Sequence, residues 1–422
     1  MSTVAGMKLA AKTAIERCRK LSRFSEQPGC TTRTFLSPPM HDCHREIREW
    51  ITPLGADIRI DAAGNLRAFY AAGAPNAPRL LVGSHLDTVP NAGAFDGVLG
   101  VILGIALLEA LDNRRLPFAI EVVGFSEEEG VRFGAPFLGS LALVGKLDET
   151  LLGRKDDRGI SVRQAIEHFG LQPNHLEDAR LKGDTLGFLE FHIEQGPELA
   201  ELGLPLGVVE AIAGQSRLEL TFVGEANHAG TTPMRLRRDA LAGAAEWISV
   251  VEREAGKASG LVATVGAIYA KPGATNVIAG EATLSLDVRH RSDKVRSSAV
   301  ENMLQLAGEI AVKRRLSLRK QMLLDQPSIA LNPLLVAEVE TAVRRAGCRP
   351  HRLVSGAGHD AMILAEHVPA AMIFLRTPGG TSHSPEETVQ LEDVEKALEA
   401  ALYLLEGLAS SSSLKRNENV HA

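Results

Sequence analysis

Residues 98–111, VLGVILGIALLEAL, are apolar almost all the way round a helix. A helix without a polar face has to be covered on every side. The run is too short to cross a bilayer, which takes roughly 20 apolar residues. It therefore belongs between the layers of a folded core. The stretch Arg79-Leu80-Leu81-Val82 before it reads as a buried strand, and FAIEVVGF (118–125) and GFLEFHI (187–193) read the same way. Strands alternating with helices argue for an α/β sheet with helices on both faces.

The flanking segments extend the pattern. Apolar spacing of three and four predicts helices over 5–22 and 40–53, and short strands follow near 57–60 and 66–70. After Gly214 the character changes. SRLELTFV (216–223) alternates apolar and polar residues, as a strand with one wet face does. A helix over 239–254, strands over 261–270 and 281–289, a helix over 293–313 and a strand over 315–323 follow. This β-α-β-β-α-β order is that of a ferredoxin-like split unit. The α/β pattern resumes near 330, with helices over 333–346, from about His359 and over 391–407, and a strand over 370–375. The expected organisation is one α/β catalytic domain, 1–213 and 328–408, interrupted by a smaller α+β domain, 214–327. The polar tail, 409–422, is expected to be disordered. A length of 422 residues, 45% of them hydrophobic, suits such a division.

The net charge of −6 gives no basic footprint for nucleic acid. The N-terminus lacks the apolar core of a signal peptide. Cys18, Cys30, Cys43 and Cys348 are scattered with no CxxC pair, as free thiols of a reducing cytosol would be. The expectation is a cytoplasmic protein with neither a nucleic-acid nor a membrane partner.

Ligands of open α/β sheets sit beyond the strand ends, and the chemistry-bearing residues of this chain gather there. His85, Asp87 and Asp96 follow the strand at 79–83, inside GSHLDTVPNAGAFDG. Glu127 and Glu128 follow 118–125, His192 lies at the end of 187–193, and His383 lies in the loop TSHSPEE. Each alone has a plainer reading. A loop His or Asp is usually solvated or capping, three glutamates in a row usually form a solvated run, and His192 could be a core histidine. Together they form a nitrogen–oxygen donor set without cysteine. That set suits Zn²⁺, Mn²⁺, Co²⁺ or Ni²⁺ and disfavours a closed structural zinc site. One catalytic zinc takes about three protein ligands. The surplus fits two ions sharing a carboxylate.

The motifs GSHLDTVPNAGAFDG, FSEEEGVRF, HIEQGP, NHAGTTPM, GAGHDAM and TSHSPEE resemble the dinuclear metallo-amidohydrolase branch of the aminoacylase and carboxypeptidase superfamily, over roughly residues 10–408. The greatest similarity is to allantoate amidohydrolases, N-carbamoyl-L-amino-acid hydrolases and β-ureidopropionases. The resemblance implies a mixed-sheet, zinc-peptidase-like catalytic domain with an inserted ferredoxin-like lid and dimerisation domain, two divalent ions (zinc or manganese, with cobalt or nickel as alternatives) and a homodimer. It implies that His85 and His192 hold one ion, that Glu128 and His383 hold the other, and that Asp96 is shared. Asp87 would orient His85. Glu127 would be the general base, from the family's Glu-Glu-x-Gly pattern read back from Gly130, and Glu129 a solvated or supporting group. Gln195 would contact substrate. His192 stands where the peptidase relatives usually carry a carboxylate, which moves the reading towards the ureido-acid branch. His228 would reach the active site of the partner subunit and stabilise an oxyanion. Asn276 would contact substrate from a loop in which the family usually has Pro where this chain has Ala279. Arg289 would grip a substrate carboxylate bidentately. Gly358 and His359 would border the pocket, His359 having the alternative of a helix-start residue.

The implied activity is metal-dependent hydrolysis of a C–N bond in a small ureido or N-carbamoyl acid. Allantoate comes first, because Thr32–Pro38 and SEEEGVRFGAPFLGS are most similar to allantoate amidohydrolases. An N-carbamoyl-L-amino-acid hydrolase or β-ureidopropionase is the close alternative, an aminoacylase or peptidase a further one. A non-catalytic binding protein on the same fold is the reading from another class.

Overall fold

A computed structural model describes residues 4–410. In chain order the first elements are α1 (Val4–Leu21), α2 (Pro38–Ile51), β1 (Asp57–Ile60), β2 (Leu66–Tyr70), β3 (Arg79–His85), α3 (Val98–Leu111) and β4 (Ala119–Phe125). Three short helices follow, α4 (Leu138–Leu143), α5 (Glu149–Leu152) and α6 (Val162–His168), then β5 (Thr185–Ile193), α7 (Glu198–Leu202) and β6 (Leu206–Ile212). Next come β7 (Gly214–Val223), β8 (Asn227–His228), α8 (Ala240–Ala255), β9 (Val262–Thr264), β10 (Ile268–Lys271), β11 (Val277–Ile278) and β12 (Glu281–His290). The chain ends with α9 (Asp293–Arg314), β13 (Ser317–Gln326), β14 (Ile329–Ala330), α10 (Pro333–Arg345), β15 (Arg352–Ser355), α11 (Asp360–Leu364), β16 (Ala370–Leu375) and α12 (Leu391–Ser410).

These elements form two units. The larger runs to Glu210 and adds Leu331–Leu353 and the chain from His359; the smaller is Ala211–Ala330 with Val354–Gly358. The division therefore lies a few residues outside 214–327, and Val354–Gly358 joins the smaller unit. The polar tail was expected from 409, but Ala409 and Ser410 still belong to α12. The remainder of that tail, 411–422, lies outside the described residues. Among the described residues no helix is long and apolar enough to cross a membrane. All four cysteines are free.

The larger unit is an α/β fold on a mixed sheet, ordered β1-β2-β4-β3-β5-β16-β6. β4, β3, β5 and β16 run parallel, so their C-terminal ends share one edge. β2 and β6 pair with them antiparallel. Every residue of α3 is buried except Glu109 and Ala110. The helix packs on β3 and β5 and is covered by α1. Arg17 of α1 reaches over it to grip both oxygens of Glu109, at 2.7 and 3.0 Å.

Beneath the same sheet lies a buried ion pair. Arg67 of β2 is 1% exposed and donates to Glu121 of β4 at 2.7 Å and to the Ala179 carbonyl at 2.7 Å. Replacing Arg67 by leucine leaves Asp61 and half of Glu121 without their buried cation. We expect Arg67→Leu to lower stability by about 3–5 kcal/mol in chemical denaturation. A change under about 1 kcal/mol would mean that Arg79, the second partner of Glu121 at 2.6 Å, compensates alone.

The smaller unit carries an antiparallel sheet ordered β10-β12-β7-β13, with β9 also on β12. Helices α8 and α9 cover it, and Trp247, Phe222, Leu220, Leu284 and Met303 fill the core between. Trp247 Nε1 donates to the Met303 carbonyl at 2.9 Å, so the indole N–H is satisfied inside the core. The strand expected over 261–270 is broken into β9 and β10. The Ser285 hydroxyl accepts from the Ala267 N–H at 3.0 Å, replacing a ladder bond with a side-chain bond at the break.

Candidate metal centre

The shared C-terminal edge of β3, β4 and β5 determines which side chains meet. His85 is the last residue of β3, Glu127 lies two residues beyond β4, and His192 is next to last in β5. Their two imidazoles meet with Nε2 atoms 3.4 Å apart. His192 Nδ1 lies 2.9 Å from the Ile193 carbonyl and His85 Nδ1 3.0 Å from the Asp87 carbonyl. A carbonyl can only accept, so each Nδ1 carries a proton, and Nε2 is the ring atom that each histidine turns inward.

Asp96 arrives from the loop between β3 and α3. Its Oδ1 is 3.2 Å from His192 Nε2 and 3.8 Å from His85 Nε2. Its Oδ2 is 3.1 Å from His383 Nε2 and accepts from Gln195 Nε2 at 3.1 Å. Burial pushes the Asp96 carboxyl up, but the imidazoles of His192 and His383 beside it outweigh this and hold it well below the usual carboxylate range. The loop closes because residue 97 is glycine. Its φ is +65°, and a Cβ there would stand 2.4 Å from three atoms of the His85 ring.

Asp87 touches both His85 and the loop after β4. The acceptor nearest His85 Nδ1 is the Asp87 backbone carbonyl, while the carboxylate stands 3.4 Å away. That carboxylate straddles the next loop, accepting from the Glu128 N–H at 3.0 Å and the Glu129 N–H at 3.1 Å. It thereby sets the direction of the three glutamates.

That direction bears on the expectation that Glu128 joins Asp96 and His383 and that Glu127 is the base. Donor atoms within 4.8 Å of one another form the groups His85–Asp96–His192, Asp96–Glu129–His383, His85–Glu128–Glu129 and Glu190–His192–His359. The carboxylate that joins Asp96 and His383 is that of Glu129, not Glu128. Glu127, expected as the base, is in none of these groups. It is 0% exposed, and its Oε1 accepts from the Gly130 N–H. The reason is local: Gly130 has φ +70°, and the turn it permits folds Glu127 back on itself. Glu128 remains between His85 and Glu129. Burial pushes its carboxyl well above the usual range; His85 opposes this, and Glu129 adds to it. The Glu129 carboxyl is pushed up to about 7, by burial first.

His359 immediately precedes α11 and is buried, its ring 4.4 Å from that of His192 and edge-on to it. Glu190, which sequence reading did not single out, accepts from the Ser84 hydroxyl at 2.7 Å and the Ala361 N–H at 2.9 Å. It ties β3, β5 and α11 together below the histidines.

The remaining expected residues belong to the smaller unit. His228 and Asn276 are neighbours there: His228 pairs with Val277 in the β8–β11 ladder, and Ala229 donates to the Asn276 carbonyl at 2.9 Å. His228 Nδ1 accepts from the Gly230 N–H at 3.0 Å, which puts the ring proton on Nε2. Arg289 donates to both oxygens of Asp287, at 2.8 and 2.9 Å, and to the Gly356 carbonyl at 2.6 Å. Two of its five N–H groups lie outside these three bonds. Gly358 closes the Val354–Gly358 segment of this unit.

The donor set fits divalent ions. Asp96 Oδ1 is buried, makes no well-aligned hydrogen bond, and faces Nε2 of both His85 and His192. A cation satisfies all three at once.

Comparison with known proteins agrees. The profile of Peptidase family M20/M25/M40 matches residues 81–407. The chain is 36% identical to "Allantoate deiminase 2" of Glycine max, over 94% of this chain and 89% of that protein. It is 37% identical to "N-carbamoyl-L-amino acid amidohydrolase" of Geobacillus stearothermophilus, over 93% and 97%. Among solved structures, an amidase of the hydantoinase/carbamoylase family from Burkholderia multivorans superposes with a TM-score of 0.90 at 30% identity, covering 95% of this chain and 98% of that one. With the family profile spanning most of the chain and these relatives covering nearly all of it, the chain belongs to Peptidase family M20/M25/M40.

Proposed function

We propose that this protein is a metal-dependent amidohydrolase that cleaves a C–N bond in a ureido acid, with allantoate as first substrate. The observation that carries the reading is Asp96. One of its oxygens faces His85 and His192, the other His383, and Glu129 stands beside it. His85, His192 and Asp96 would hold one divalent ion and Asp96, Glu129 and His383 a second, zinc or manganese. Divalent ions there supply Lewis acidity, polarising the ureido carbonyl and lowering the pKa of the attacking water.

The chain's own groups do the rest. Glu128 takes the proton of the attacking water and passes it to the departing nitrogen; its burial beside Glu129 raises its basicity to suit the task. Water's oxygen bonds to the ureido carbon, the C–N bond breaks, and ammonia leaves. Asp87 holds the Glu128 and Glu129 backbone in place. His228, protonated on Nε2, donates to the oxyanion from a partner subunit of a homodimer. Arg289 and Asn276 contact the substrate's polar groups, with Gln195, Gly358 and His359 lining its site. A cytoplasmic location goes with this reading.

N-carbamoyl-L-amino acids are the second reading, because the identities to the two groups of relatives, 36% and 37%, are level. Mn²⁺-loaded protein given allantoate, N-carbamoyl-L-methionine and a dipeptide in turn is expected to release ammonia from allantoate. Turnover of N-carbamoyl-L-methionine alone would select the second reading, and turnover of the dipeptide alone would overturn both.

A further inference from the structure

Glu387 lies outside every donor group described above, yet it is 5% exposed and bound at three points. Its Oε1 accepts from the Phe95 N–H at 2.8 Å and from the Asp96 N–H at 3.0 Å. Its Oε2 accepts from the Ser382 hydroxyl at 3.2 Å. One carboxylate thus fastens the backbone of Asp96 to the residue that precedes His383. The fit is close: a Cβ on Gly93 would stand 2.4 Å from Glu387 Cβ and 2.5 Å from its Oε1. The Asp96 loop therefore wraps the Glu387 side chain closely. The two loops are nearly 300 positions apart in sequence, with |i−j| of 291 between Asp96 and Glu387. His383 itself has a half-exposed side chain and a φ of +54°.

We propose that Glu387 is the positioning residue of the second metal site: its carboxylate sets the distance between Asp96 and His383, and so the affinity for the ion they share. This rests on the metal-centre reading above. Glu387 touches neither substrate nor ion. It acts through two N–H groups and one hydroxyl, and partners of this kind typically change metal affinity by about 10–100-fold. The first site is less exposed to its loss, because His85 and His192 are anchored on β3 and β5 by their own Nδ1 contacts. Glutamine can replace most of the tether. Its amide oxygen accepts from both N–H groups, and its NH₂ can donate to Ser382 Oγ.

The test is calorimetric titration of the metal-free full chain with Mn²⁺, alongside ion content after gel filtration. For Glu387→Ala we expect the weaker-binding equivalent to lose about 10–100-fold in affinity while the tighter one stays near wild type. Glu387→Gln is expected to restore most of the loss. Two wild-type equivalents in Glu387→Ala would overturn the proposal and leave the metal centre standing. Equal weakening of both equivalents would also overturn it, since that is the mark of general structural damage. Wild-type protein that takes up no divalent ion would overturn the metal-centre reading and this proposal with it. If Glu387→Ala does not fold, Ser382→Ala decides: weakening of the second equivalent supports the tether, and an unchanged second equivalent overturns it.

Discussion

Glu128→Gln is expected to lower turnover by about 10²–10⁴-fold while the protein keeps its full ion content. The amide fills the same space between His85 and Glu129 but cannot take a proton from water. Glu129→Gln is expected to behave differently, losing the ion it shares with Asp96 and His383 and losing activity as a consequence. Glu127→Gln is expected to keep both ions and most of its activity, because the amide oxygen still accepts from the Gly130 N–H. Ion content and kcat measured on the three variants separate the roles. If Glu127→Gln were the inactive, fully loaded variant, the glutamates would have to be read one position earlier, as the motif alone suggested.

Gly97→Ala is expected to be nearly as damaging, though residue 97 carries no chemistry. With φ +65° and ψ −54°, residue 97 has the backbone of a γ-turn, which is strained for alanine. The larger effect is steric, since the new Cβ would fall 2.4 Å from three atoms of the His85 ring. That ring is held at Nδ1 by the Asp87 carbonyl and cannot yield without moving its Nε2 away from Asp96. Displacement of a reacting constellation by about 1 Å can cost on the order of 10²-fold in rate. We expect a loss of at least that size, with weaker Mn²⁺ uptake and a lower melting temperature. Full activity in Gly97→Ala would show that His85 can swing aside without cost, against its proposed role as a fixed ligand.

The features legible in sequence were those set by local pattern. The all-round apolar 98–111 is the buried helix α3, and the strands before Ser126 and Glu194 end where their apolar runs end, while β3 continues two residues past its run to His85. His85, Asp96, His192 and His383 meet in the larger unit because those parallel strands share an edge. The order of Glu127, Glu128 and Glu129 was not legible. Three identical residues in a row differ only in the backbone that carries them, and that is decided by Gly130 and the Asp87 carboxylate. Glu387 stood inside the quoted TSHSPEE but drew no role, because its partners are remote in sequence. β6, whose residues Leu206–Ile212 form a short apolar run between α7 and β7, carried no periodicity to tell strand from buried helix. The break between β9 and β10 depends on the Ser285 side chain, a partner on another strand.

The most direct test of the account is ammonia release from allantoate measured against ion content. Stripping the protein with a chelator should abolish turnover, and Mn²⁺ or Zn²⁺ added back should restore it as two equivalents per chain bind. A stripped, ion-free protein that still turns over allantoate, or a fully loaded one inert towards every ureido and carbamoyl acid offered, would contradict the account.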